Sequence, residues 1–175
     1  MSTYVAFLRG INVGGINIKM ADLAKTFEDL GFTGVKTILA SGNVRFTTSK
    51  KNGPALKREV EAALTKRFGY EAWVIILDVA SVEAIIEGYP FGEDDDSRQP
   101  WVMFLGDPSV RDDLLSVAGD LDPSVERLEP ADGVIYWEVT KGATTDSAFG
   151  KHNSKARFKP HITTRNLRTL RKTLP

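Results

Sequence analysis

The order in which strand-like and helix-like segments alternate in residues 1–77 is the strongest constraint on the fold. Four short segments combine apolar side chains with β-branched or aromatic residues, and two longer segments carry apolar residues at helical spacing. The predicted strands are Thr3–Arg9, Val35–Leu39, Val44–Thr48 and Ala72–Leu77, and the predicted helices begin near Met20 and at Pro54. The order β-α-β-β-α-β is the split pattern of a ferredoxin-like α/β plait.

Glycine and proline residues mark the ends of these elements. Gly31 and Gly69 follow the last apolar turn of each predicted helix, where glycine commonly ends a helix. Pro54 suits the first turn of the second helix, because its missing N–H is not needed there. The sequence Ala-Ser-Gly-Asn predicts a hairpin turn between the second and third strands, since Gly42 and Asn43 tolerate a positive φ.

The same order of elements restarts after an acidic segment. Residues 89–100, "YPFGEDDDSRQP", combine prolines, a glycine and consecutive acids, as linkers do. Beyond them we predict a strand at Trp101–Leu105, a helix from Ser109 and a hairpin that turns at Asp132-Gly133. A short strand at Ile162 and a terminal helix over 166–174 complete the pattern, whereas residues 140–160 carry no clear assignment.

We therefore predict an α+β fold, with tandem ferredoxin-like α/β plaits (two βαββαβ-type halves) packed as one compact body. The predicted division is a first plait in 1–78, a linker helix and acidic loop in 79–100, and a second plait with a basic C-terminal helix in 101–175. The strand Ala72–Leu77 is apolar on both faces. This predicts that the second face of the first sheet is also buried, with the second plait as the expected cover.

The net charge of zero conceals an uneven distribution. Residues 147–175 hold eight basic and no acidic side chains, which leaves 15 basic and 23 acidic residues in 1–146. A basic end on an acidic body indicates an anionic partner, contact with that body, or simply a solvated helix. The candidate polyanion-binding residues are Arg165, Arg168, Arg171 and Lys172.

Composition narrows the compartment and the chemistry. The chain has no cysteine, which excludes disulfides, a thiol nucleophile and a cysteine-bound metal. The first apolar run, Val5–Leu8, is too short for a signal peptide or a membrane span. We therefore expect a soluble, cytoplasmic protein with no membrane partner.

Three segments together resemble one family. They are "FLRGINVGG" (7–15), "ASGNVRF" (40–46) and "TTRNLRTLRK" (163–172), and they resemble, in the same order, the family called domain of unknown function 1697 (DUF1697). The resemblance runs nearly end to end and implies two α/β plaits, but it implies no activity. Leu167 departs from the pattern, because family members often have an aromatic residue there. The matching positions are Arg9, Gly10, Asn12, Gly14, Gly15, Ser41, Gly42, Asn43, Thr164, Arg165 and Asn166.

The glycine-rich stretch "RGINVGG" is not a nucleotide-binding P-loop. Gly10 and Gly15 have the spacing of its two glycines, but Ile16 and Asn17 stand where Lys and Ser or Thr are needed. Two interpretations stay open. The stretch can present free N–H groups to an anion, or its glycines serve tight turns and its asparagines cap the backbone.

Plait topology predicts that these polar loops meet. The loop after the first strand and the turn between the second and third strands lie at the same end of the sheet. We therefore expect one donor-rich cluster, to which the second half contributes a further segment. The candidate ligand-binding residues are Arg9, Gly10, Asn12, Gly14, Gly15, Lys19, Ser41, Asn43, Thr164, Arg165 and Asn166.

Other chemistry has little support. His152 and His161 lie at no metal-ligand spacing, and Glu93–Asp96 lack the spacing of a calcium loop. We therefore expect no metal and no cofactor. Phe46 is the one aromatic residue of the third strand, so RNA reading by the sheet face is weakly supported. No nucleophile–base pair is recognisable, so the sequence supplies no argument for catalysis.

Two classes of function stay open. The first is a binding protein or enzyme for a small anionic or phosphorylated ligand, which would use the polar loops. The alternative is a nucleic-acid or protein interaction module that would use the basic C-terminal segment. The sequence does not indicate an oligomeric state.

Overall fold

A computed structural model describes residues 1–12 and 16–175. The predictions for Gly14 and Gly15 therefore lie outside the described residues. The chain divides into two compact units, of which the first comprises Met1–Glu87 together with Arg168–Pro175 and the second comprises Gly88–Leu167. The sequence had placed the C-terminal helix with the second half, and its last residues group with the first unit.

The first unit is a complete plait. Its elements are β1 (Ser2–Leu8), α1 (Met20–Asp29), β2 (Thr33–Ile38), β3 (Asn43–Thr48), α2 (Pro54–Phe68), β4 (Val74–Asp78) and α3 (Val79–Glu87), with most of α6 (Leu167–Thr173) from the C-terminus. The sheet order is β2-β3-β1-β4, and every pairing is antiparallel. This is the order that βαββαβ connectivity produces, so the predicted first plait is confirmed.

The second unit repeats this topology. Its elements are β5 (Arg98–Leu105), α4 (Arg111–Leu115), β6 (Glu126–Ala131), β7 (Val134–Thr140), α5 (Ala148–Asn153) and β8 (Ile162–Asn166). The sheet order is β6-β7-β5-β8, again antiparallel throughout. The predicted tandem of α/β plaits is confirmed. Residues 140–160, which the sequence left open, contain α5, whose first turn is capped because the Ser147 hydroxyl accepts from Gly150 N–H.

The acidic segment begins with residues that pack rather than link. Tyr89 and Phe91 belong to the second unit, and the ring of Tyr89 makes edge contacts with Phe91 at 5.6 Å and with Tyr136 at 5.8 Å between centroids. Exposed acids follow at Glu93–Asp96. Aromatic residues in a charged segment thus show that the segment packs against a domain, whereas its composition alone indicates a linker.

The core of the first unit lies between its sheet and helices α1 and α2. Leu23 and Phe27 of α1 and Val60 of α2 are fully buried in it. Phe46 of β3 stacks on Phe32 at 4.7 Å between ring centroids. Phe46 is therefore a core residue and is not presented to a nucleic acid.

The other face of the first sheet is also buried, as the two-sided apolar pattern predicted. Val5 and Phe7 of β1 are fully buried there. Helix α3 packs against β1 and β4, and the C-terminal segment contributes a hydrogen bond in which Arg45 Nη1 donates to the carbonyl of Thr173 at 3.0 Å. Both of these covering elements belong to the first unit.

The turn between β2 and β3 differs in one detail from the prediction. Positive φ angles occur at Leu39 (59°) and Gly42 (88°), whereas Asn43 already begins β3. Gly42 also lies against the end of β1, since its carbonyl accepts from Leu8 N–H at 2.8 Å. A Cβ atom at Gly42 would lie 2.7 Å from Ile11 Cδ1 and 2.9 Å from Leu8 Cβ. The position therefore requires glycine for conformation and for space.

The Asn12 side chain ties the loop after β1 to two other segments. Its Nδ2 donates to the carbonyls of Ala40 at 2.9 Å and Ile18 at 3.2 Å, and its Oδ1 accepts from Ile18 N–H at 2.8 Å. Asn12 itself has a φ of 56°, which asparagine tolerates better than most residues. The loop, the β2–β3 turn and the approach to α1 are thus joined by one amide.

We expect Gly42→Ala to lower the free energy of unfolding by about 2–4 kcal/mol, through overlap with Leu8 and Ile11 and the strained φ. Gly31→Ala is the matched control, because Gly31 has a similar φ of 86° but open space around it. It should cost only about 1 kcal/mol. Urea denaturation measures both values, and equal losses would show that the close approach at Gly42 has no energetic weight.

We expect Asn12→Asp to destabilise the chain by about 2–3 kcal/mol, because the carboxylate keeps the acceptor but loses both donated hydrogen bonds. Asn17→Asp introduces the same change at an exposed site of the same loop and should shift the free energy of unfolding by less than about 0.5 kcal/mol. Thermal unfolding of the two variants side by side tests the claim, which a similar melting temperature for both would contradict.

Candidate functional site

Arg9 lies directly after β1 and extends its pairing with β4 by one residue. Its backbone N–H donates to the carbonyl of Trp73 at 3.1 Å. The β1–β4 register places Arg9 on the sheet face that carries Val5 and Phe7, with Trp73 as its neighbour across the strands. Trp73 is partly buried. Sequence reasoning did not single it out as a neighbour of Arg9, and the predicted strand register was the signal that could have found it.

The guanidinium of Arg9 is partly buried and unpaired. Its Nε is shielded from solvent and has no hydrogen-bond partner within residues 1–12 and 16–175, and within these ranges no carboxylate lies at ion-pair distance from the side chain. Desolvation lowers the pKa of Arg9 below its ordinary value. Removing water from a cation without giving it a partner costs free energy. Pairing with an anion would offset that cost.

The side chains of Asn12 and Asn43 hold the backbone of the loop and the turn. Asn43 is fully buried, and its Nδ2 donates to the carbonyl of Ile38 at 2.7 Å and to Ser41 Oγ at 2.9 Å. Asn12 has both donors and its acceptor engaged in the loop. The sequence left two interpretations open. The contacts of these side chains agree with the one in which the asparagines cap the backbone.

Gly10 and Lys19 are exposed members of the same loop. Gly10 has a φ of 68° and open space around it, so a ligand could approach its backbone closely. Lys19 precedes α1, and its side chain makes no hydrogen bond or ion pair with the part of the chain that is described. The loop thus offers one partly buried cation at Arg9 and one exposed cation at Lys19.

Thr164, Arg165 and Asn166 lie on β8 in the second unit. Arg165 is only 6% exposed, and its Nη1 donates to Thr163 Oγ1 at 2.7 Å and to the carbonyl of Thr164 at 3.1 Å. The structure thus places the loop candidates in one unit and this segment in the other. The alternation of β8 places Arg165 on the same sheet face as the buried Thr163.

The basic C-terminal helix is amphipathic. Leu167, Leu170 and Thr173 of α6 are buried at a spacing of three residues, while Arg168, Arg171 and Lys172 are exposed. Of the four candidate polyanion-binding residues, the buried Arg165 is therefore not on the surface that the other three share.

His152 has structural surroundings. His152 is 6% exposed, its Nε2 lies 2.8 Å from the carbonyl of Asp113, and its ring meets Phe158 edge to face at 5.2 Å. Across residues 1–12 and 16–175, no three His, Asp or Glu side chains form a group that could hold a metal ion. Within the same residues, none of the helices has both the length and the apolar character of a membrane span.

Comparison with known proteins identifies a family of unknown function and a similar solved structure. The family described as "Protein of unknown function (DUF1697)" matches residues 1–136. The chain is also similar in structure to the conserved bacterial protein SP0830 from Streptococcus pneumoniae, with a TM-score of 0.80 and 26% sequence identity over 98% of this chain and 96% of that one. No curated protein matches the sequence. The chain therefore belongs to the DUF1697 family of proteins of unknown function.

Proposed function

We propose that the protein binds a small anionic ligand, such as a carboxylate or a phosphorylated metabolite, at the loop after β1. The observation that carries the proposal is the partly buried guanidinium of Arg9, whose Nε has no partner in residues 1–12 and 16–175. An arginine fork matches carboxylate and phosphate oxygens geometrically, and such charge-assisted hydrogen bonds are stronger than neutral ones.

The surroundings of Arg9 support a prepared site. The amide of Asn12 holds the loop to the β2–β3 turn and to the approach of α1, so the end of β1 is fixed before any ligand arrives. A binding group on a fixed backbone loses less entropy when the ligand binds. Gly10 adds an exposed backbone position without a side chain, where an anion can come close.

The alternative function, binding of a nucleic acid or another protein by the basic C-terminal segment, has less support. Arg165 is buried and engaged with Thr163 and Thr164. The exposed cations of α6 are Arg168, Arg171 and Lys172. A partner would therefore bind three positive charges on one short helix. Binding of that kind would weaken steeply with salt.

We expect a selective anion to raise the melting temperature of the wild-type chain. The panel contains orthophosphate, a nucleoside monophosphate, a sugar phosphate, a dicarboxylate and duplex DNA, each at low and high salt. A ligand at about 100 times its Kd stabilises a protein by about 2.7 kcal/mol, which corresponds to about 5–10 °C for a chain of this size. Differential scanning fluorimetry measures the shift.

Arg9→Gln should abolish that shift, whereas Arg58→Gln, at an exposed arginine of α2, should leave it intact. Without ligand, Arg9→Gln should melt no lower than wild type, because it removes an unpaired, desolvated charge. A shift of equal size in Arg9→Gln would refute the assignment to Arg9. A shift with DNA alone, lost at high salt, would favour the C-terminal segment instead.

A further inference from the structure

The second unit holds a small cavity beside its central strand pair. The cavity has a volume of about 260 Å³. Trp101 of β5 and Trp137 of β7, which are register partners, line it. Thr144, Asn153 and Thr164 supply polar groups, and none of the described residues that line the cavity carries a charge. The lining residues belong to the second unit, whereas the Arg9 loop belongs to the first.

The polar groups of this cavity keep hydrogen-bonding capacity. Thr144 Oγ1 donates to Gln99 Oε1 at 3.0 Å, and Asn153 Nδ2 donates to the carbonyl of Phe149 at 2.8 Å. These bonds orient both side chains and leave the lone pairs of Thr144 Oγ1 and Asn153 Oδ1 available. The Thr164 hydroxyl has no hydrogen bond to residues 1–12 or 16–175, so it can donate or accept.

Trp101, which lines the cavity, carries an unsatisfied donor. Its Nε1 is shielded from solvent and has no partner within the described ranges. Trp137 contrasts with it, because the Trp137 Nε1 donates to Glu126 Oε1 at 3.1 Å. A buried donor without a partner is unfavourable, so a ligand oxygen that accepted from it would be favoured.

We propose that this cavity binds a neutral monosaccharide or a polyol ring of similar size. The volume lies just below the range of about 300–1,000 Å³ typical of drug-sized ligands. The absence of charge in the lining disfavours phosphorylated and acidic compounds, which would be desolvated without a partner. Indole rings present an electron-rich face to the partly positive C–H groups of a sugar ring.

The hydroxyl groups distinguish a sugar from other neutral or cationic ligands. A hydroxyl can rotate to donate or to accept, which suits a ligand whose own hydroxyls do both. A nucleobase instead presents a fixed pattern of donors and acceptors, which amide groups read better. An organic ammonium ion would gain from the indoles, but no carboxylate lines the cavity among the described residues to balance its charge.

Indole resonances in ¹H–¹⁵N correlation spectra of tryptophan-labelled protein provide the test. The chain has three tryptophans, and Trp101→Phe assigns the resonance of Trp101. Titration with glucose, galactose, mannose or inositol should move the Trp101 resonance saturably, with a Kd on the order of 1–10 mM. The Trp73 resonance, from the first unit, should stay in place. Equal movement of all three resonances, or no saturable movement with any of the four, overturns the proposal.

Thr164→Val is the informative variant, because it keeps the shape and strand preference of threonine and removes only the hydroxyl. We expect it to weaken sugar binding about three- to tenfold, whereas Thr33→Val, at an exposed position of β2, should leave the Kd unchanged. Asn153→Ala provides a second variant if Thr164→Val does not fold. Saturation by adenine or tetramethylammonium in place of the sugars would contradict the assigned ligand class, as would a Kd unaffected by both cavity variants.

Discussion

Antiparallel pairing of β1 with β3 on one side and with β4 on the other is the constraint on which the first unit depends. A strand that is hydrogen-bonded along both edges lies in the interior of the sheet. Its backbone polar groups are then paired, so the strand can be buried on both faces. The run from Tyr4 to Leu8 meets this demand with five consecutive buried apolar residues. The C-terminal end of β1 is consequently held at a fixed point, and the loop with Arg9 and Asn12 begins there.

The fold could be predicted from the sequence because its determinants are local and repeated. Helical periodicity, glycine at helix ends and turn pairs each fix one element, and βαββαβ order leaves few topologies once antiparallel pairing is assumed. The predicted turn conformation was less accurate where a side-chain hydrogen bond overrides the backbone preference of a residue. At the β2–β3 turn, Leu39 takes the positive φ that the sequence assigned to Asn43, because Asn43 is needed inside the sheet to hold Ile38 and Ser41.

The candidate site was only partly accessible from the sequence, since residue type does not reveal what a polar group is already bonded to. Arg9, Asn12 and Arg165 were equally plausible ligand contacts in the sequence. In the structure, the amide of Asn12 is engaged in three hydrogen bonds and Arg165 is buried on β8, whereas the Nε of Arg9 has no partner within the described residues. The difference arises from hydrogen-bond geometry between segments that are distant in the chain, which spacing and charge patterns do not encode.

The hydrogen bond from Arg45 to the carbonyl of Thr173 has a consequence for biosynthesis. The first unit takes in Arg168–Pro175, which are translated after the whole of the second unit. Domains of larger proteins generally fold from the N-terminus while synthesis proceeds. Here the N-terminal plait can assemble its sheet early, but the acceptor that Arg45 requires emerges only after the second plait has been made. The first unit therefore reaches its final set of contacts only after the second unit has been synthesised.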